Sequence, residues 1–182
     1  MRILGIDPGS ERTGYGCVAV EGSRHRIVLS GAITAPPLAS FPEKLLAIHT
    51  GLTALLAECR PDCVAIEDLF YANNARSALK LGHARGVAML AAVEAGLPIA
   101  EYTPAEVKRA VVGYGRAEKQ QVQQMVTLLL GLKTAPTPYD ASDALAVAIC
   151  HSHATLATDG IIVPKARGKA AASWRHYRPV RS

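Results

Sequence analysis

No uncharged apolar run in this sequence is longer than "VAMLAAV", residues 87–93, whereas a helix that crosses a bilayer needs roughly 20 apolar residues. No helix of this sequence is therefore expected to cross a bilayer. The first residues carry one Arg, a short strand-like run and an early acid, Asp7, unlike the charged start and longer apolar region of a secretory signal. The expected location is the cytoplasm, with no membrane partner. Cysteine is scarce: Cys17, Cys59, Cys63 and Cys150 lie in apolar stretches without a CxxC pair or zinc-like spacing. This argues against a zinc site, and reduced core thiols are expected. Internal repeats are absent, and 182 residues at 49% hydrophobic composition suffice for one domain with a sizeable core. Acid is missing from the C-terminal stretch "PKARGKAAASWRHYRPVRS", which has six Lys or Arg, while residues 1–163 hold 14 bases against 15 acids. The whole excess of positive charge thus sits in a Pro- and Ala-rich tail with Trp174 and Tyr177, a composition expected to be disordered and suited either to reaching phosphates or to keeping the chain soluble.

What is present alternates between two periods. "RILGID", "TGYGCVAVEG" and "RIVLSGAITA" read as three antiparallel strands joined by hairpin turns. Leu45, Leu46, Ile48, Leu52, Leu55 and Leu56 then recur at helical spacing from Pro42 to Arg60, and Pro61 ends the helix. A fourth strand, "CVAIED", follows. Asn73 and Asn74 offer caps for a long helix to about Ala95, "LPIAEY" reads as a fifth strand, and three more helices begin near Thr103, Ala117 and Pro138. The pattern predicts an α/β fold with one five-stranded mixed sheet and helices on both faces.

Against that background the acids stand out. Asp7 closes the first strand and Glu67 the fourth, each after a run expected to be buried, so two strands deliver carboxylates to one sheet end. In "YDASDALAVAIC", Asp140 and Asp143 are three apart at the start of an apolar helix and share a face. A single Asp there would cap the helix; two, next to a packed surface, crowd like charge where water is scarce, which is costly without a cation. Four carboxylates without a nearby His or Cys suit Mg²⁺ or Mn²⁺ bound through oxygen. Metal-assisted phosphoryl chemistry is the natural use, in a two-ion site with the ions about 4 Å apart and Asp7 as the bridge.

These residues also carry a resemblance. "ILGIDPGSERTGYG", "IEDLFYANNARSALKLGHARGVA", "VKRAVVGYGRAEKQQVQQMV" and "DASDALAVAIC" resemble, in order and spacing, the successive motifs of the RuvC Holliday-junction resolvases, over about residues 1–154. The resemblance implies an RNase H-like fold, a homodimer, and symmetric nicking of four-way DNA junctions in recombinational repair, with RuvA and RuvB as branch-migration partners. It implies Asp7, Glu67, Asp140 and Asp143 as ligands of two metal ions. Lys108 and Lys119 match lysines that the family keeps near the scissile phosphate, where a compact cation offsets developing negative charge. Phe70 matches an aromatic stacked on an unpaired base at the junction centre, and Tyr71, Asn74, Arg76 and Lys80 around it are expected to touch DNA. Some relatives put His in the place of Asp140, which makes Asp143 the safer ligand of that pair. The expected layout is a nuclease domain over residues 1–158 and a basic tail over 159–182.

Other readings account for fewer residues. An RNase H-like enzyme that processes ribosomal RNA shares the opening strand and acid but is shorter and lacks the "ALKLGHARG" helix. Sugar kinases and actin-like ATPases need two such domains around a nucleotide. A non-catalytic basic DNA-binding module would explain the tail and leave Glu67, Asp140 and Asp143 without a task. Ala78, Gly82 and Gly86 recur every four residues on the long helix. Since glycine weakens a helix, the stripe points to close packing, either against the chain's own sheet or against a second copy.

Overall fold

The computed structural model describes residues 1–68 and 74–157. Phe70, Tyr71, Asn73 and the basic segment 159–182 lie outside the described residues. Five strands, β1 (Arg2–Asp7), β2 (Arg12–Glu21), β3 (Arg24–Thr34), β4 (Cys63–Glu67) and β5 (Ile99–Tyr102), form one sheet in the order β3-β2-β1-β4-β5. The β1–β2 and β2–β3 pairs are antiparallel, whereas β1–β4 and β4–β5 are parallel. The sheet is therefore mixed, as the sequence predicts. Five helices complete the described residues: α1 (Phe41–Cys59), α2 (Ala75–Glu94), α3 (Pro104–Val112), α4 (Lys119–Leu129) and α5 (Tyr139–Ala157). The helix expected near Ala117 begins two residues later, after Glu118, whose backbone N–H donates to Gln121 Oε1 at 2.9 Å.

Strand alternation sorts the apolar residues into two cores. Leu4, Ile6, Cys17, Val64 and Ile66 face α1 and α2, while Ile3, Val18, Cys63 and Ala65 face α3, α4 and α5. Each large aliphatic side chain buried in this way contributes about 1.5–3 kcal/mol. All four cysteines are buried and free, in keeping with their reading as core thiols.

Glycine sets the distance between α5 and the sheet. A Cβ on Gly5 would lie 2.0 Å from the Ala144 carbonyl oxygen, one on Gly14 would lie 2.1 Å from that of Asp140, and one on Gly16 would lie 2.6 Å from Leu145 Cγ. Gly5 pairs directly with Gly16 across the strands, and Gly14 pairs with Asp7. The helix offers a matching small surface through Ala141, Ala144 and Ala148, all fully buried. Backbone thus lies almost on backbone, and the first turn of α5 is drawn to the end of β1.

The Ala78-Gly82-Gly86 stripe points away from the sheet. All three residues are exposed, and a Cβ on Gly82 or Gly86 would meet nothing within 4 Å. The inner face of α2 is Ala84, Ala88, Ala91 and Ala92. Packing of the stripe against this chain's own sheet is therefore ruled out.

Because the Gly5 contact is with backbone, no side-chain rotation can relieve an added methyl. Gly5→Ala should cost about 1–3 kcal/mol or more and lower the melting temperature by several degrees. An unchanged melt would mean that α5 is not seated at this distance.

Candidate active site

β1 and β4 run side by side with Ile6 opposite Ile66, so their last residues, Asp7 and Glu67, emerge as neighbours on the α5 face. The turn after β1 is held from below by Thr13, which is fully buried. Its hydroxyl donates to the Gly9 carbonyl at 2.8 Å. Gly9 is required there, since a Cβ would sit 2.2 Å from the Arg12 carbonyl oxygen. Asp143 arrives on the first turns of α5. Lys108 comes from α3, whose start is fixed by the Thr103 N–H donating to Glu106 at 2.8 Å and the Glu106 N–H donating back to the Thr103 hydroxyl at 3.3 Å. Lys119 opens α4.

Asp7, Glu67, Lys108, Lys119 and Asp143 line one cleft of about 200 Å³, walled by Pro104, Val107, Val122 and Ala146. Asp140 takes a different place. It is ion-paired with Arg12 at 3.5 Å, and both side chains are partly exposed. The two acids of α5, three residues apart, thus divide between the cleft and its rim. Of the other expected contact residues, Asn74 caps α2 by accepting a hydrogen bond from the Ser77 N–H at 2.8 Å. Arg76 is exposed, and the Lys80 ammonium lies 5.7 Å from the centre of the Phe41 ring. Phe70 and Tyr71 lie outside the described residues.

The cleft crowds negative charge. Burial first, then the neighbouring Glu67 and Asp143 carboxylates, push Asp7 from an ordinary 3.8 up to about 8. Glu67 is raised as well, by burial and by Asp143, against the pull of its hydrogen bond with Asp7 and of the Lys119 and Lys108 charges. A side-chain hydrogen bond joins Asp7 and Glu67. Lys119 Nζ stands 3.2 Å from Asp143 Oδ2, and that carboxylate raises the lysine's pKa. Among the described residues, no three His, Cys, Asp or Glu side chains are already arranged around one point that could hold an ion. Asp7 faces Glu67, and Asp143 faces Lys119. The donor set nevertheless fits a hard divalent cation, because it is all oxygen and because burial and mutual repulsion raise Asp7 and Glu67, a penalty that positive charge would relieve.

Sequence reasoning missed Arg12, the Thr13 clasp and the apolar walls. Thr13, between polar residues and a glycine at the start of β2, gives no periodic signal. Arg12 is one base in a polar turn and becomes notable only beside Asp140.

A mixed sheet in this order, with helices on both faces, is the RNase H-like fold, and Holliday-junction resolvases are among the proteins built on it. Among these, the family "Crossover junction endodeoxyribonuclease RuvC" matches residues 3–151, and the chain belongs to this family. It is accordingly an endonuclease that resolves Holliday junctions, of a metal-dependent family. A member from Pelobacter propionicus is 54% identical over 181 residues, spanning 98% of this chain and 100% of the relative. One from Citrifermentans bemidjiense is 58% identical over 153 residues, 84% of this chain and 93% of the relative. The structure of Thermus thermophilus RuvC in complex with Holliday junction substrate superposes with a TM-score of 0.82 at 38% identity, over 87% of this chain and 96% of that one.

The raised Asp7 fixes a pH dependence. Between about pH 4 and about pH 8 the folded, metal-free protein keeps a proton on Asp7 that the unfolded chain has released. Stability should therefore fall as pH rises through that window and level off above it. Asp7→Asn should make the fall shallower and raise the melting temperature at pH 8 in chelator, leaving the part due to Glu67. Melts from pH 5 to 9 that show the same slope in both proteins would contradict the assignment.

Proposed function

We propose that Asp7, Glu67 and Asp143 hold the divalent metal with which this endonuclease cuts its junction, Asp140 joining them from the rim, and that Lys108 and Lys119 flank the scissile phosphate. The observation that carries this reading is the convergence of three acids and two lysines from five separate elements on one cleft. Two bound Mg²⁺ or Mn²⁺ ions would lower the pKa of the attacking water and stabilise the leaving oxygen. Asp7, on the central strand β1 beside Glu67 of β4, would contribute a carboxylate to hold them. It must lose its proton to do so, which couples metal binding to pH. Lys119 holds Asp143 in the metal-free protein and is free to turn to phosphate once a cation takes that carboxylate. Lys108 contributes a second positive charge where negative charge develops.

Phe70 stacks on an unpaired base at the junction centre, and Tyr71, Asn74, Arg76 and Lys80 contact the strands beside it. The tail 159–182, beyond a nuclease domain ending near residue 158, adds six cations that attract phosphate without selecting sequence. Among the described residues no helix is long and apolar enough to cross a membrane, and the enzyme acts in the cytoplasm, with RuvA and RuvB as its branch-migration partners.

Matched cuts in two strands call for two identical sites about one two-fold axis, hence a homodimer. The outer face of α2 supports this. Leu79, Leu90 and Val93 are 64%, 51% and 62% exposed and flank Gly82 and Gly86 at helical spacing. A smooth centre between apolar shoulders lets a second α2 approach closely.

If the acids hold metal, Asp7→Asn should abolish cutting of labelled four-way junctions while junction affinity is kept or improved, because a negative charge near phosphate has been removed. Metal-dependent cutting near the wild-type rate would overturn the assignment. For the dimer, Gly82→Leu should shift sedimentation at micromolar concentration towards monomer with little change in melting temperature. A wild-type protein that sediments as a monomer, even with junction bound, would defeat it.

A further inference from the structure

Alternation along a strand places Glu67 and Asp68 on opposite faces of the sheet. Glu67 turns to the cleft beside α5. Asp68 turns to the side of α2, as does Glu101 on the neighbouring strand β5. There Arg85 of α2 meets both: its Nη2 lies 3.3 Å from Asp68 Oδ1 and also pairs with Glu101 Oε2. The Asp68 N–H donates to the Tyr102 carbonyl at 2.7 Å, extending the β4–β5 pairing one residue beyond Glu67. One cation thus ties the last turn of pairing between two strands to a helix behind the sheet, at the residue next to Glu67.

We propose that Arg85 is a positioning residue for Glu67. By holding Asp68 against Glu101 behind the sheet, it fixes the pleat at the end of β4 and so commits the Glu67 carboxylate to the cleft. If Asp68 is released, the strand end is free to untwist, and Glu67, at the boundary of the sheet, loses the orientation that a metal-holding acid requires. Three features favour this over a merely stabilising ion pair. Asp68 and Glu101 are each more than a third exposed, where ion pairs add little to stability. The Arg85 Nε is buried without a hydrogen-bond partner among the described residues, a placement that serves stability poorly. The arginine also neighbours Gly86 of the outer stripe, so the helix assigned to the dimer seam and the strand end that presents Glu67 are joined through one side chain.

The inference rests on the reading of Glu67 as a metal-holding acid, and the test separates the two. Arg85→Met, Arg85→Lys and Glu67→Gln are compared in the full-length protein. Three measurements are made: junction affinity, single-turnover cutting, and amide hydrogen exchange of the metal-free protein across residues 63–68. Arg85→Met should cut about 10–100-fold more slowly, with junction affinity within about two-fold of wild type. Its Asp68 amide should exchange at least about ten-fold faster, while the amides of α1 and α5 keep their protection. Arg85→Lys, which carries the charge on a shorter stem, should fall between. Normal cutting by either folded Arg85→Met or, where that variant does not fold, Arg85→Lys would overturn the proposal. So would slow cutting with undisturbed exchange at Asp68, or a loss of protection spread evenly over the whole domain. Glu67→Gln cutting at the wild-type rate would overturn the metal-site reading of Glu67 itself, whatever the Arg85 variants do.

Discussion

The close approach of α5 to β1 and β2 is the constraint on which the rest of this molecule depends. Gly5, Gly14 and Gly16 clear a path along two adjacent strands, and Ala141, Ala144 and Ala148 answer from the helix, so that the two backbones meet without an intervening layer of side chains. Close packing of this kind resists even one added methyl. It also determines chemistry, since the helix that carries Asp143 enters at the end of the strand that carries Asp7. Larger residues at these positions would hold α5 further from the sheet and move Asp143 away from Asp7 and Glu67.

The arrangement that follows crowds buried negative charge, which is electrostatically unfavourable. Asp7 and Glu67 are adjacent because parallel strands end level, and both are raised by burial and by like charge. The crowding is eased by the hydrogen bond between Asp7 and Glu67 and by Lys119 paired with Asp143. Such a cleft suits positive charge, and oxygen donors of this kind match a hard divalent ion better than a metal that prefers nitrogen or sulfur. Arg12 on Asp140 is the milder version of the same compensation, at the solvent edge where it is worth less.

The two faces of the sheet divide the labour. One face gathers the acids and lysines under α3, α4 and α5. The other is covered by α1 and α2, and α2 is exposed on its far side. Consecutive residues of a strand point in opposite directions, so the end of β4 presents Glu67 to one face and Asp68 to the other.

Much of this was legible in the sequence. Periods of two and of 3.6 residues located all ten elements, and the pairing of acids with strand ends singled out Asp7 and Glu67, because these signals are local and the chain repeats them within a few residues. The order of the motifs then indicated the family. The sequence could not tell which side of a face would be covered. Asp140 and Asp143 share a helix face by spacing, yet one reaches the cleft and the other the rim, a difference set by where Arg12 and Lys119 stand on other elements. The Ala78-Gly82-Gly86 stripe reads as a packing surface from its period alone, while only the tertiary structure turns it outward. Arg85 is one base in a run of small residues until Asp68 and Glu101 are brought beside it from strands distant in the chain. Local periodicity fixes what each element is and which residues it presents together. Their partners are chosen by contacts between segments far apart in the chain, which no local pattern encodes.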